Sequence, residues 1–487
     1  MLKAALLSEL SVGCSCDAMF TSRLAAANLI HRVRPGICVT GRAGDELTFM
    51  RPDGSTERIE TGSSGVAFAM LSLAGAGGLD IEGLTELASS NGSARPVEQL
   101  DASLESLLRR GLLEFVWQVG GQARALVTDL RPDFRFSEAR VPAMFALSRF
   151  AYVRRDGDAA VLESPEALCR IKFDCPETWQ WVGSLIVPSS LGQLAASAQH
   201  RLLELADLLW RTGFLEGAGQ EEEQGRSSWE FHDLLFHWRS RGGRVSGPQA
   251  GTYRFLGRWD APPAVKPRMS GDSVALPKPD GDGSGADDGS LTAVVERRRS
   301  RREQGASPVS LAEVGRLLYH VARVQRRLPG EYQELLLRPV PAAGAVHELE
   351  LYLVVGRCDG LARGVYHYHP ERHALDHLGA EERYVSALLG EAAEAWAKPD
   401  EPPQVLIVIA SRLPRLAWKY EGLAYRLTLL NAGAMIEALY LAATEMGLAC
   451  SALGGGDSAV FASATGLDPF VETSVAEFAV GTLRPGN

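Results

Sequence analysis

The stretch Trp418–Gly456, WKYEGLAYRLTLLNAGAMIEALYLAATEMGLACSALGGG, decides how this chain is read. It opens on the adjacent pair Lys419 and Tyr420. Leu423, Leu427, Leu430, Ala434 and Ala438 then recur at helical spacing, widened by Leu439, Ala442 and Met446, which predicts a long buried helix. Gly447 is placed to end that helix, and Gly454, Gly455 and Gly456 follow where backbone can approach a ligand closely. A Lys and a Tyr side by side at the mouth of a helix put two proton-transfer groups in one small volume. The bland alternative is a surface lysine at a helix start beside a packing tyrosine.

Upstream of this stretch, QVLIVIA from Gln404 is a fully apolar buried strand, and ELELYLVV from Glu348, Gly364–Tyr368 and Val475–Gly481 supply further strands. Leu311–Val324 is an amphipathic helix. Helices and strands mix without strict βαβ alternation, so an α+β domain is expected over residues 291–487. Leu291–Arg302, LTAVVERRRSRR, reads as a helix ending in five arginines within six residues. Such a cluster repels itself unless an anion is near, and Arg forks with the Ser300 hydroxyl suit phosphate oxygens. A solvated basic helix end is the alternative. No G-x-G-x-x-G, G-K-[ST] or H-E-x-x-H occurs, so Rossmann, P-loop and zincin readings have no footing.

Residues 229–290 read as a connection: a helix at WEFHDLLFHWRSRGG from Trp229, then a Pro-, Gly-, Asp- and Ser-rich linker from Asp260 to Ser290. His232 and His237 are five apart, which is not the spacing of a helical metal pair. Before them the chain echoes itself. LLRRGLLE at Leu107–Glu114 answers LLWRTGFLE at Leu208–Glu216, and hairpin-like segments broken by Gly and Asp start at Arg42 and Arg154. Two winged-helix-like units are expected, over 1–130 and 131–228. Their arginines are matched by acids, so they are read as peptide-holding or scaffolding rather than nucleic-acid-binding units, with β-augmentation as the route to an extended peptide.

The chain's 487 residues suit several domains, and a net charge of -10 argues against a general polyanion binder. The seven cysteines are scattered and odd in number, which suggests cytosolic thiols rather than disulfides or a zinc site. Glu9 interrupts the apolar run after Lys3, so no signal peptide is expected, and no apolar run looks long enough to span a bilayer. A cytoplasmic protein with no membrane role is the expectation.

Taken in order, R-R-S-x-R at Arg298–Arg302, the Pro-small-small-Gly loop at Pro341–Gly344, GVYHYHPERHALDHL from Gly364, the Lys-Tyr pair, the glycine run and a C-terminal G-x-x-R resemble the nitroreductase-like flavoproteins. More narrowly they are similar to the SagB-type azoline dehydrogenases, which mature thiazole- and oxazole-containing peptides. The resemblance is strong from about Trp229 onward. It implies FMN bound non-covalently at a homodimer interface, with Arg298, Ser300 and Arg302 on the flavin phosphate and ribityl chain and Arg299 assisting. Arg484 matches the C-terminal residue reaching the same phosphate. Gly454 and Gly455 match backbone lying against the ring system, with Gly344 on its other side. Lys419 and Tyr420 match the catalytic pair, and an azoline-containing precursor peptide and a cyclodehydratase are the implied partners. This chain departs at Ala342, where the family loop has Ser, so one hydroxyl contact is absent. An oxidase of carrier-bound thiazolines, an NAD(P)H-dependent nitroreductase and a non-catalytic docking scaffold are the other readings; the Lys-Tyr pair speaks against the last two.

Overall fold

A computed structural model describes residues 29–484 apart from 75–77, 120, 129–133, 135, 174, 197–199, 223, 241–250, 279–289 and 399. The chain divides into two units, Met1–Gly247 and Pro248–Asn487.

In the first unit the sequence echo becomes an echo of elements. One copy runs β1 (Leu29–Val33), a meander of β2 (Cys38–Ala43), β3 (Glu46–Met50) and β4 (Thr56–Glu60), then α1 (Ser64–Ser72), α2 (Ile81–Ser90), α3 (Pro96–Arg109) and β5 (Leu113–Val119), with β6 (Gln122–Thr128) closing a hairpin. The other runs β7 (Met144–Leu147), a meander of β8 (Tyr152–Asp156), β9 (Ala159–Glu163) and β10 (Arg170–Phe173), then α4 (Pro176–Ser184), α5 (Leu191–Ala196), α6 (His200–Arg211) and β11 (Leu215–Gly217). In both copies the strand after the third helix returns antiparallel to the first, Trp117 opposite Leu29 and Leu215 opposite Leu147. The echoed motif is the cap joining the third helix to that strand. Gly111 and Gly213 take φ of +66° and +82°, and the next residue reaches back five positions, Leu112 N–H to Leu107 O at 2.9 Å and Phe214 N–H to Leu209 O at 2.8 Å.

The strands depart from the expectation of two self-contained winged-helix-like units. A three-stranded meander is inserted in each copy, and the second copy's meander joins the first copy's hairpin in one six-stranded sheet, β1-β5-β6-β10-β9-β8. The segment RIKF at β10 makes this possible: Ile171 and Phe173 face the core while Arg170 and Lys172 face outward. Helix α7 (Phe231–Arg239) belongs to this unit, where Arg239 donates to the Tyr152 hydroxyl at 2.9 Å and pairs with buried Glu163 at 3.3 Å.

The second unit starts with an extended strap over 251–278 that contains β12 (Ser273–Ala275). After α8 (Leu291–Arg297) and α9 (Leu311–Ala322) come β13 (Leu349–Val355), β14 (Gly364–His369), β15 (Ala374–His377), α10 (Glu382–Ala395), β16 (Val405–Ser411), α11 (Leu413–Lys419), α12 (Ala424–Glu445), β17 (Leu448–Leu453), α13 (Ser458–Thr465) and β18 (Thr473–Thr482). The seven strands form an antiparallel sheet in the order β12-β15-β14-β13-β16-β18-β17. LELYLVV at β13 is apolar at nearly every position because both faces are covered. Leu351 and Leu353 pack in one core with Leu318 of α9 and Leu439 of α12; Tyr352 and Val354 pack in another with Leu388 of α10 and Phe461 of α13.

Two expectations need correction here. The helix predicted over Leu291–Arg302 stops at Arg297: Arg298 turns to φ -54°, ψ 125°, and the chain runs on without helix through Arg302. Stopping there spares five arginines a stacked helical turn. In α12 the helix, its stop at Gly447 (φ +68°) and most of the predicted stripe are as expected, with Leu439 buried and Leu427, Ala434, Ala438, Ala442 and Met446 packed partly buried against the cores. Ala424, Thr428, Asn431, Met435, Leu439, Tyr440 and Ala443 face inward, while Leu430 of the predicted stripe is 59% exposed. The helix is apolar nearly all round, so periodicity alone does not pick a face. For the same reason α12, contrary to expectation, is long and apolar enough by length and mean hydropathy (1.4) to cross a membrane; it packs against β13, β17 and β18 of the sheet.

Candidate active site

Helix α11 has only seven residues and is held from outside along its length. The fully buried Arg415 donates to three backbone oxygens, those of Val346, Pro262 and Glu334, each at 2.8 Å. Burial, and then the neighbouring guanidiniums of Arg412 and Arg338, push its pKa down to about 10. Arg412 donates to Pro263 O at 2.9 Å and Ala264 O at 3.0 Å, and the Trp418 indole donates to Trp259 O at 3.2 Å. Lys419 ends the helix, and its carbonyl, one of those left without an intrahelical donor, accepts from Thr252 N–H at 2.9 Å and Tyr253 N–H at 3.2 Å.

The Lys-Tyr pair and the loop chosen with it in sequence meet in space. Lys419 Nζ donates to Gly344 O at 3.4 Å. A Cβ on Gly344 would stand 2.4 Å from Tyr420 Oη and 2.6 Å from Lys419 Nζ, so a side chain there would displace both groups. The loop is under backbone strain, with Gly344, Ala345 and His347 all at φ between 50° and 56°. It is fixed by Asn431 of α12, whose Oδ1 accepts from Ala343 N–H at 3.0 Å while its Nδ2 donates to both oxygens of buried Glu348 at 3.0 and 3.1 Å. Burial lowers the proton affinity of Lys419, and burial, followed by nearby Tyr253, raises that of Tyr420.

The basic segment lies further along α12. Ser300 Oγ is 2.8 Å from Tyr440 Oη, which also accepts from Ala452 N–H at 2.8 Å, and the Arg298 guanidinium sits 5.3 Å from the Tyr440 ring centre. Arg301 N–H donates to Cys450 O at 2.8 Å, laying the segment beside β17. Arg299 is turned back onto Glu296 O and Arg298 O at 2.8 and 2.7 Å. Arg302 and Arg484 line one cavity of about 490 Å³ with Arg357, Asp400 and Glu401, and Arg484 lies 3.8 Å from Glu303. Gly454 and Gly455 are exposed past the end of β17, with open space where a Cβ would be. Most of the predicted residues thus fall into three sets, the Gly344–Lys419–Tyr420 cluster, the Arg298–Ser300 set on Tyr440 and the Arg302–Arg484 cavity wall, with Arg299, Gly454 and Gly455 outside them. Asn431 in the first set and Tyr440 in the second are nine residues apart on α12, about 13.5 Å at the helical rise.

These residues suit a flavin mononucleotide. Among the described residues, none of Arg297, Arg298, Arg301 and Arg302 is in an ion pair, so their charge is left for an anion, while Arg299 is turned onto backbone carbonyls. The open glycines admit a flat ring system. Asn431 and Tyr440 were not singled out in sequence; the signal they offer is a polar tip on the apolar helix that carries the site.

Residues 295–482 match the nitroreductase family, and residues 145–246 match the family described as cyanobactin oxidase ThcOx. MJ1384 of Methanocaldococcus jannaschii, named for a nitroreductase, is 32% identical over 184 residues, 38% of this chain and 85% of that protein. The chain therefore belongs to the nitroreductase family. Within that superfamily it fits the SagB-type azoline dehydrogenases, and the two matched regions mark an oxidoreductase. The trifolitoxin-processing protein TfxB of Rhizobium leguminosarum bv. trifolii is 30% identical over 149 residues, 30% of this chain but only 40% of TfxB. The E. coli microcin synthetase McbBCD complex with truncated pro-MccB17 bound has a chain 20% identical, with a TM-score of 0.32, covering 48% of this chain and 88% of that one.

Proposed function

We propose that this chain is an FMN-dependent dehydrogenase that oxidises thiazolines or oxazolines in a peptide to the aromatic azoles. The observation that carries the reading is the closure of the Gly344 loop on Lys419 Nζ and Tyr420 Oη. The reaction removes a proton from the ring carbon beside the carbonyl and a hydride from the neighbouring CH2. Bound FMN supplies the acceptor for the hydride.

The chain's own residues do the rest. Arg298, Ser300, Arg302 and Arg484 hold the phosphate and ribityl chain; Gly344, Gly454 and Gly455 leave room for the ring. Lys419 takes the proton. An ordinary lysine, with a pKa of about 10.4, is a poor base at neutral pH, and burial lowers it toward usefulness. Tyr420 stays protonated, its affinity raised, and donates to the carbonyl or ring nitrogen where negative charge develops.

An azoline must be made before it can be oxidised, so a cyclodehydratase is the natural partner and a precursor peptide the substrate. The doubled first unit is assigned to holding that peptide. The exposed Tyr425, Leu429 and Leu430 on α12 support a second copy of the chain as its cover, giving a homodimer. The test is mass spectrometry of an azoline-containing peptide after incubation with the protein. Loss of two hydrogens per ring supports the reading; unchanged peptide with flavin-loaded protein overturns it.

A further inference from the structure

We propose that Tyr253, on the strap preceding the catalytic unit's sheet, is a positioning residue of the Lys-Tyr site, its ring closing over the Lys419 side chain and forming one wall of the slot for a flat five-membered ring. This inference rests on the proposed role of Lys419.

The backbone gives the first argument. Tyr253 adopts φ +48°, a conformation costly for a bulky residue that persists only where the surroundings enforce it. Here the enforcing contacts are those to Lys419: Thr252 N–H and Tyr253 N–H both donate to its carbonyl. Gly251 lies so close that a Cβ there would be 3.3 Å from Lys419 Cγ and 3.2 Å from the Tyr253 ring.

The ring gives the second. Lys419 Nζ lies 6.0 Å from the Tyr253 ring centre and 5.4 Å from that of Tyr420, so the amine has two aromatic rings beside it. Tyr253 is held in turn by Tyr332 at 4.8 Å and by the edge of Trp418 at 5.6 Å. The titratable and charged groups around the amine are Tyr420 on its own element, Tyr253 and Arg254 on the strap, Glu421 (3.6 Å from Arg254), and Tyr332, hydrogen-bonded to Glu331. Desolvation is the cause that sets the direction of the Lys419 shift, and the Tyr253 ring is placed to exclude water from that side.

Tyr253→Gly separates ring from backbone, because glycine accepts the positive φ and leaves the strap's hydrogen bonds in place. Acylation of Lys419 by an amine-selective reagent, followed by mass spectrometry across pH in the full-length protein, reads the amine without azoline turnover. In Tyr253→Gly the midpoint should move up, slowing acylation at neutral pH roughly tenfold, the change that about one pKa unit makes in free amine. Azoline turnover should fall by a similar factor, and Tyr253→Phe should restore both. An unchanged acylation midpoint in Tyr253→Gly, or a Phe variant no better than Gly, overturns the proposal. If the wild-type protein oxidises no azoline yet the midpoint moves, the functional reading fails while the Tyr253–Lys419 relationship stands.

Discussion

Lys419 Nζ lies 3.4 Å from the carbonyl oxygen of Gly344, a residue far upstream in the chain, and a Cβ on that glycine would stand 2.6 Å from the amine. Gly344→Ala puts a methyl group there at φ +56°. The backbone alone then costs at least about 1 kcal/mol, and displacement of the amine and hydroxyl should lower turnover about a hundredfold. Thermal melting and steady-state assay of the variant check the two effects separately.

Lys419→Ala should keep its fold and its flavin while losing roughly a hundred- to ten-thousandfold in turnover, the usual worth of a positioned base. The free amine is the active form, so activity rises with pH through the Lys419 pKa. Because burial lowers that pKa, the rising limb should lie below that of an ordinary lysine and vanish in the alanine variant. A pH–rate profile of both proteins measures this.

The arginines of the basic segment should not be equivalent. Arg298 faces Tyr440 and has no carboxylate partner among the described residues, whereas Arg299 is turned onto two backbone carbonyls. Removing one charge-assisted contact of about 1.5–3 kcal/mol, Arg298→Ala should weaken FMN binding roughly ten- to a hundredfold. Arg299→Ala should change it only slightly. Fluorescence titration of the flavin-stripped proteins with FMN distinguishes them.

Glu477 on β18 is buried and its pKa is pushed up to about 7, by burial first and then by the carboxylates of Glu391 and Asp457. Its folded value lies above the unfolded one, so its contribution to stability is fully present below pH 4.5 and is lost as pH rises through about 7. Glu477→Gln removes the loss. The variant should be more stable than wild type above neutrality, by up to about 3 kcal/mol, with the difference shrinking toward pH 4.5. Denaturant unfolding at several pH values checks it.

The sequence made some of this legible and hid the rest for physical reasons. LELYLVV and QVLIVIA announce central strands because both faces of the sheet are covered. The doubled caps at Gly111 and Gly213 announce a repeat because each needs glycine at the same step. The merging of the two copies into one sheet did not show, since the pairing of β6 with β10 is long-range and leaves no local mark. At the site, Lys419, Tyr420 and Gly344 were each visible as residue types, yet Asn431, Tyr440 and Tyr253 were not. The polar tips of Asn431 and Tyr440 meet the distant Ala343 N–H and Ala452 N–H, and the Tyr253 backbone N–H meets Lys419 O; no spacing in the chain encodes those meetings.

The most direct test of the central claim is the visible spectrum of the purified full-length protein, reconstituted with FMN and kept anaerobic, before and after addition of an azoline-containing peptide. The account predicts a bound-flavin spectrum that the peptide bleaches, with Lys419→Ala binding flavin but not bleaching. A protein that binds no FMN, or whose flavin NAD(P)H bleaches while the azoline peptide leaves it unchanged, would contradict it.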